Sequence, residues 1–184
     1  MNPPRVLGIV GWSGSGKTVL IAKLIPILAQ RAARIATLKH AHHAFDVDIP
    51  GKDSYEHRKA GASEVLVSSS RRWVQMHELG AEPEATLGQL LRRLSPCDLV
   101  LVEGFKTERH PKLEVFRHSL GKPPLHPRDE RVVAIASDQP FPTARIPVVD
   151  LNDAAKVADT IWSCAQPLEA VLRALDGPTT GESC

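Results

Sequence analysis

Three stretches of the chain are almost continuously apolar, Val6–Val10, Leu99–Val102 and Val132–Ala136, and each gives way at once to glycine or to acidic and polar residues. Unbroken rather than alternating burial marks the central strands of a parallel sheet covered on both faces. Shorter runs rich in β-branched residues predict further strands over 34–38, 64–68, 72–76, 113–116 and 147–151. Between them the apolar spacing becomes helical. Leu20, Ile21, Leu24, Ile25, Ile27 and Leu28 form one broad face, with Pro26 inside it expected to kink or break the helix. Ser54 is placed to cap a short helix through Arg58, and helices are predicted over 86–94, 153–164 and 168–175. Strands that alternate with helices imply right-handed parallel crossovers, and hence a doubly wound α/β sheet. Residues 1–176 read as a single nucleotide-binding domain and residues 177–184 as a short, frayed tail.

The first strand runs into Gly11-Trp12-Ser13-Gly14-Ser15-Gly16-Lys17-Thr18, and a helical pattern follows directly. This is a P-loop in the strand, loop, helix context that the motif requires. Backbone N–H groups of Gly11, Ser13, Gly14, Ser15 and Gly16 can turn inward around an anion, and the helix adds the positive end of its dipole. Lys17 then reaches the β- and γ-phosphates, and the Thr18 hydroxyl ligates the Mg2+ that bridges them. The fold class narrows accordingly to a P-loop NTPase-type sheet, mainly parallel and flanked by helices.

Ligands of such sheets bind at the carboxyl ends of the strands, where Gly11, Lys39, Glu103 and Asp138 all fall. Glu103 ends the strand over 99–102 and is the candidate acid of the magnesium shell, with the Gly104 N–H next to it as a contact for the γ-phosphate. Lys39 and His40 are candidates for meeting phosphate. They open a closely polar loop, residues 39–53, in which Asp46, Asp48 and Asp53 could reach the metal or a metal-bound water. Lys17, Asp48 and Asp53 are the candidate catalytic residues, and Thr18, Glu103 and Asp48 the candidate metal ligands. Asp138 is placed to read the base, because a carboxylate accepts from both N1–H and the 2-amino group of guanine. Adenine has no such pair of donors. His40, His42 and His43 leave a transition-metal reading open, although carboxylates and phosphate oxygens favour Mg2+.

Composition removes other classes. Lys and Arg number 23 against 21 Asp and Glu, a net charge of +2 with both signs interspersed, so neither nucleic acid nor an acidic membrane surface is the expected partner. No apolar run is long enough to cross a membrane, and the first strand begins too early for a signal peptide, so a cytoplasmic protein is expected. Cys97, Cys164 and Cys184 are odd in number and far apart, which suits a reducing compartment, and Cys97 and Cys164 read as small core residues.

Taken together, the P-loop, Thr-Leu-Lys-His-Ala-His-His at 37–43, Asp-x-Asp-x-Pro-Gly-Lys-Asp-Ser at 46–54, Lys-Ala-Gly-Ala at 59–62, Leu-Val-Glu-Gly-Phe-Lys at 101–106 and Ala-Ser-Asp at 136–138 resemble the molybdopterin-guanine dinucleotide biosynthesis adapter family, MobB. The resemblance spans roughly residues 5 to 165. It implies a homodimeric, GTP-binding, weakly GTP-hydrolysing protein that assists the molybdenum cofactor guanylyltransferase in attaching GMP to molybdopterin. The rival readings are a P-loop small-molecule kinase and a metallochaperone GTPase that uses His40, His42 and His43. Arg71, Arg72 or Arg109 could supply an arginine finger within a dimer.

Overall fold

The computed structural model describes residues 3–31, 34–41 and 45–177. The chain divides into two compact units, residues 1–40 with 87–184, and residues 41–86.

The first unit is built on a sheet with strand order β2-β5-β1-β6-β7-β8: β2 (Ile35–Lys39), β5 (Leu99–Glu103), β1 (Arg5–Val10), β6 (Lys112–Phe116), β7 (Val132–Ser137) and β8 (Val148–Asp150). Every neighbouring pair along that path is parallel. The strands expected to be central are so, and their side chains alternate between two cores. Leu7, Ile9, Leu99, Leu101, Leu113 and Val115 pack with Leu20, Leu24 and Leu28 of α1 (Lys17–Ala29) and with Val157 and Ile161 of α4 (Ala154–Cys164). Val6, Val100 and Val102 pack on the other face with Leu87 and Leu91 of α3 (Leu87–Arg93) and Val171 of α5 (Leu168–Asp176). Helices on both faces are what a doubly wound sheet requires. Cys97 and Cys164 are half-buried at the margins of the two cores.

Some expectations need correction. Pro26 does not break α1, which continues to Ala29. A seventh strand, β9 (Gln166–Pro167), pairs antiparallel with Arg5 and Val6, while β6 joins the same strand only from Gly8 onward. Two residues ending in proline carry no strand signal of their own. Their position is set by the partner, since Leu168 N–H donates to the Pro4 carbonyl (2.7 Å).

In the second unit, β3 (Glu64–Ser68) and β4 (Trp73–His77) form an antiparallel hairpin, preceded by α2 (Asp53–Lys59). Ser54 does not cap α2. The cap position is Lys52, and the Ser54 hydroxyl donates instead to Asp48 (2.8 Å). The hairpin displays Leu66, Val67, Trp73 and Val74 to solvent. Among the described residues, all the large apolar side chains that stay exposed, apart from Val19 and Val148, belong to this unit.

Candidate functional site

β1 delivers the chain to the loop at the carboxyl edge of the sheet, and α1 begins at Lys17 with Gly16 at its N-cap position. The first turn of α1 carries no acidic residue, which leaves the positive end of the helix dipole uncompensated for an anion. At the loop's entry, a Cβ on Gly11 would stand 2.5 Å from the Val115 carbonyl oxygen and 2.8 Å from Ser15 Oγ. That close approach of strand β6 is why the position is glycine. Ser15 itself is buried, and its Oγ has no hydrogen-bond partner among the described residues. A buried orphan hydroxyl in a glycine-rich loop at a helix N-terminus fits a phosphate-binding loop, while the Ser15 N–H, expected to face the anion, donates here to the Trp12 carbonyl (3.1 Å). Ser13 and Gly14 lie exposed on the outer turn.

Lys17 curls over the loop, its Nζ donating to the carbonyls of Gly11 (3.0 Å) and Trp12 (2.9 Å). Burial lowers its pKa, the neighbouring Lys106 and Lys39 ammonium groups lower it further, and Glu103 offsets part of this. Trp12 is held from three sides. Its indole N–H donates to the Pro123 carbonyl (2.7 Å), and the ammonium groups of Lys106 and Lys122 lie 5.2 and 5.9 Å from the ring centroid.

The structure brings Thr18 and Glu103 together, as the motif requires. Thr18 Oγ1 donates to Glu103 Oε1 (2.9 Å), and Lys39 Nζ lies 3.7 Å from Glu103 Oε2. This happens because β5 lies between β2 and β1 in register, with Lys39 and Ile9 both opposite Glu103. A hydroxyl and a carboxylate at the end of a P-loop are the hard oxygen donors that Mg2+ takes when nucleotide phosphates and water complete its shell. His40 also sits here, its N–H bonded to the Glu103 carbonyl (2.9 Å) and its ring tilted against Phe105 at 4.7 Å.

Gly104 is needed for a reason other than the one the motif suggests. Its φ of +96° places it in the left-handed region, and a Cβ would meet His40 Cβ at 2.9 Å. Its N–H points to the Ile9 carbonyl (3.4 Å) and so continues the sheet ladder toward β1. Phe105 follows at φ +49°, a conformation that a non-glycine residue holds only under tertiary constraint. The Glu-Gly-Phe-Lys run is therefore a rigid corner with Glu103 at its tip.

Asp138 ends β7 at the same edge and lines a cleft of about 510 Å³ with Ser137, Gln139, Phe141, Asp150 and Asn152. One of its oxygens is already engaged, since Oδ1 accepts the backbone N–H of His118 (2.9 Å). Arg117, which gave no signal in the sequence, lies between Asp138 and the P-loop. Its Nε donates to the Ser15 carbonyl (3.1 Å) and its Nη1 is 4.0 Å from Asp138 Oδ2.

In the unit of residues 41–86, Asp48 has a different setting from the one expected of a base or metal ligand. Its carboxylate accepts from the Ser54 hydroxyl (2.8 Å), the Ile49 N–H (3.0 Å) and Arg58 Nε (3.1 Å). Burial pushes its pKa up, but these hydrogen bonds outweigh burial and hold it below the usual carboxylate value. Such a group is a poor proton acceptor, and its lone pairs already organise the loop. Arg58 adds Asp46 and Glu78 to the same cluster. Asp53 is the first residue of α2, exposed beside a cleft of about 600 Å³ that also includes Lys52, His57 and Val67. His42 and His43 lie outside the described residues. Among the described residues, no three His, Cys, Asp or Glu side chains gather as a metal-holding group.

Comparison with known proteins shows the family and the fold. The family described as "Molybdopterin guanine dinucleotide synthesis protein B" (MobB) matches residues 6–138. The molybdopterin-guanine dinucleotide biosynthesis adapter protein of Escherichia coli K12 is 45% identical over 159 residues, covering 85% of this chain and 90% of that protein. Its counterpart from Haemophilus influenzae is 42% identical over 162 residues, covering 87% and 89%. A crystal structure of molybdopterin-guanine biosynthesis protein B superposes with a TM-score of 0.66 at 26% identity, covering 86% of this chain and 98% of that one.

Proposed function

This chain belongs to the MobB family and serves molybdenum cofactor biosynthesis, and on that footing we propose that it does so as a GTP-binding adapter whose nucleotide sits on residues 11–18. The observation that carries the reading is the P-loop joined to the Thr18–Glu103 pair at the end of the neighbouring strand. Lys17 would hold the β- and γ-phosphates once released from the Gly11 and Trp12 carbonyls. Thr18, with Glu103 behind it, would hold Mg2+, which supplies charge neutralisation across the two phosphates. Lys39 and His40 complete the rim. The cleft beside Asp138 takes the base, and the free lone pairs of that carboxylate favour guanine over adenine.

Hydrolysis is expected to be slow. Asp48 is held as a hydrogen-bonded carboxylate, and Arg117 is committed to a loop carbonyl. A P-loop GTPase without a mobile arginine or a water-orienting glutamine turns over at about 10⁻⁴ to 10⁻³ per second. The adapter role then falls to the surface. Exposed Leu66 and Trp73 on one face of the hairpin, and Val67 and Val74 on the other, support self-association into a homodimer and contact with the guanylyltransferase.

Calorimetry against GTP, with and without Mg2+, tests the nucleotide site. Lys17→Ala should abolish binding while the circular dichroism spectrum is unchanged. Wild-type affinity in that variant would remove residues 11–18 from the nucleotide site.

A further inference from the structure

We propose that Arg117 is the positioning residue that ties the phosphate loop to the base-reading edge, so that grip on phosphate and choice of base depend on one side chain. This deepens the nucleotide reading above and rests on it.

Arg117 leaves the end of β6, the strand next to β1. Its Nε donates to the Ser15 carbonyl at 3.1 Å. The Ser15 C=O and the Gly16 N–H belong to one planar, trans peptide group and point in opposite directions. A charged donor that fixes the carbonyl outward therefore fixes the Gly16 N–H inward, toward the phosphate cradle, and polarises that peptide as it does so. The guanidinium is close enough that a Cβ on Gly16 would stand 3.5 Å from Nε and 3.6 Å from Nη2.

The other side of the same guanidinium faces the base edge. Nη1 is 4.0 Å from Asp138 Oδ2, while Asp138 Oδ1 accepts the N–H of His118, the residue next to Arg117. Asp138 is thus oriented twice by the Arg117–His118 dipeptide. The planar fork serves the carbonyl from Nε and faces the carboxylate with Nη1, two nitrogens held apart by the guanidinium plane. A lysine ammonium carries its three donors on a single nitrogen and does not reproduce that separation.

The test compares Mg–GTP, Mg–ATP and pyrophosphate, which has no base, binding to the wild type, Arg117→Ala, Arg117→Lys, Asp138→Asn and the double variant Arg117→Ala/Asp138→Asn. Arg117→Ala should weaken both GTP and pyrophosphate about tenfold or more. Arg117→Lys should restore pyrophosphate binding without restoring the wild-type GTP-to-ATP ratio. Asp138→Asn should change that ratio in the wild type and leave it unchanged in the Arg117→Ala background, the non-additivity expected of coupled residues. Wild-type binding by Arg117→Ala, recovery of both properties by Arg117→Lys, or additive effects in the double variant would each overturn the proposal. If Arg117→Ala fails to fold, Arg117→Lys carries the test through its split between pyrophosphate and base selectivity. Loss of GTP in Lys17→Ala with full retention in Arg117→Ala refutes this inference alone. Retention in both refutes the nucleotide reading itself.

Discussion

At the scale of single residues, the site is built from groups whose backbone matters as much as their side chains. Gly104 shows it most directly. An alanine there would be strained at φ +96° and would press its Cβ to 2.9 Å from His40 Cβ. Gly104→Ala should cost about 1 to 3 kcal/mol in urea unfolding and loosen Glu103 from Thr18, so that Mg2+-dependent binding falls more than Mg2+-independent binding. Equal loss of both would place Glu103 outside the metal shell. Thr18, Lys17 and Glu103 were legible in the sequence because the motif fixes their spacing and the apolar run fixes the strand end. Arg117 was not, because its partners are the carbonyl of Ser15 and the side chain of Asp138, and neither leaves a mark in the residues around 117. The setting of Asp48 is not legible for the opposite reason. Acidic residues in a polar loop look available until their donors, here Ser54, Ile49 and Arg58, are placed around them. Because those donors hold its pKa down, the stability it lends is complete above about pH 4 and is lost as pH falls through the lowered value. The difference in melting temperature between wild type and Asp48→Asn should therefore be constant from pH 7 to 5 and shrink below pH 4.

Among the elements, β6 departs from the pattern of its neighbours. One side, Leu113 and Val115, joins the core with α1 and α4. The other carries Lys112 and Glu114, both essentially without exposure, next to His110. The charges are paired. Lys112 Nζ donates to Asp129 (2.8 Å), and Glu114 accepts the N–H groups of Leu125 (2.6 Å) and His126 (2.9 Å). Among the described residues His110 has no hydrogen-bond partner at either ring nitrogen, and it lies so close to Gly8 that a Cβ there would be 2.3 Å from its Nε2. Burial, with the Lys112 charge beside it, lowers its pKa to about 4. A histidine with a depressed folded pKa binds its proton first in the unfolded chain. Folding stability should therefore fall as pH drops from about 6.5 to about 4 and level off below, by about 3 kcal/mol in all. Urea titrations of wild type and His110→Leu at pH 7, 5.5 and 4.5 check this, with the slope expected to vanish in the variant. The strand itself was visible in the sequence, but its burial on a polar face was not, since Lys-x-Glu reads as a solvated edge until segment 122–131 is laid over it.

For the whole molecule, the parallel sheet follows from a few apolar runs, while the spatial order of its strands is read only from the structure, where successive side chains of those strands face two cores. The hairpin of residues 64–77 was also foreseen as two strands, yet nothing in its pattern told whether its apolar residues would be covered. Val65 is covered, whereas Leu66, Val67, Trp73 and Val74 are not, and a two-stranded ribbon with apolar groups on both faces is not an independent fold. On the proposed adapter reading, in which this ribbon forms the homodimer interface, Trp73→Glu should convert the dimer to a monomer in analytical ultracentrifugation and leave GTP affinity at the wild-type level. Dimers that persist in this variant would move the interface elsewhere.

The pairing of β9 with the first half of β1 has a consequence for the order of events during synthesis. The strand that carries the phosphate loop is paired along one edge by β5, but its other edge at Arg5 and Val6 is hydrogen-bonded only when residues 166–167 arrive, more than 150 positions later. The Arg5 guanidinium likewise waits for the Ala165 carbonyl (3.0 Å from Nε). Contacts so distant in sequence are closed late and slowly. A ribosome-stalled chain ending before residue 165 should leave Arg5 and Val6 open to protease, and a chain extended past residue 176 should protect them, so that the second edge of the loop-bearing strand closes only after both cores have their helices.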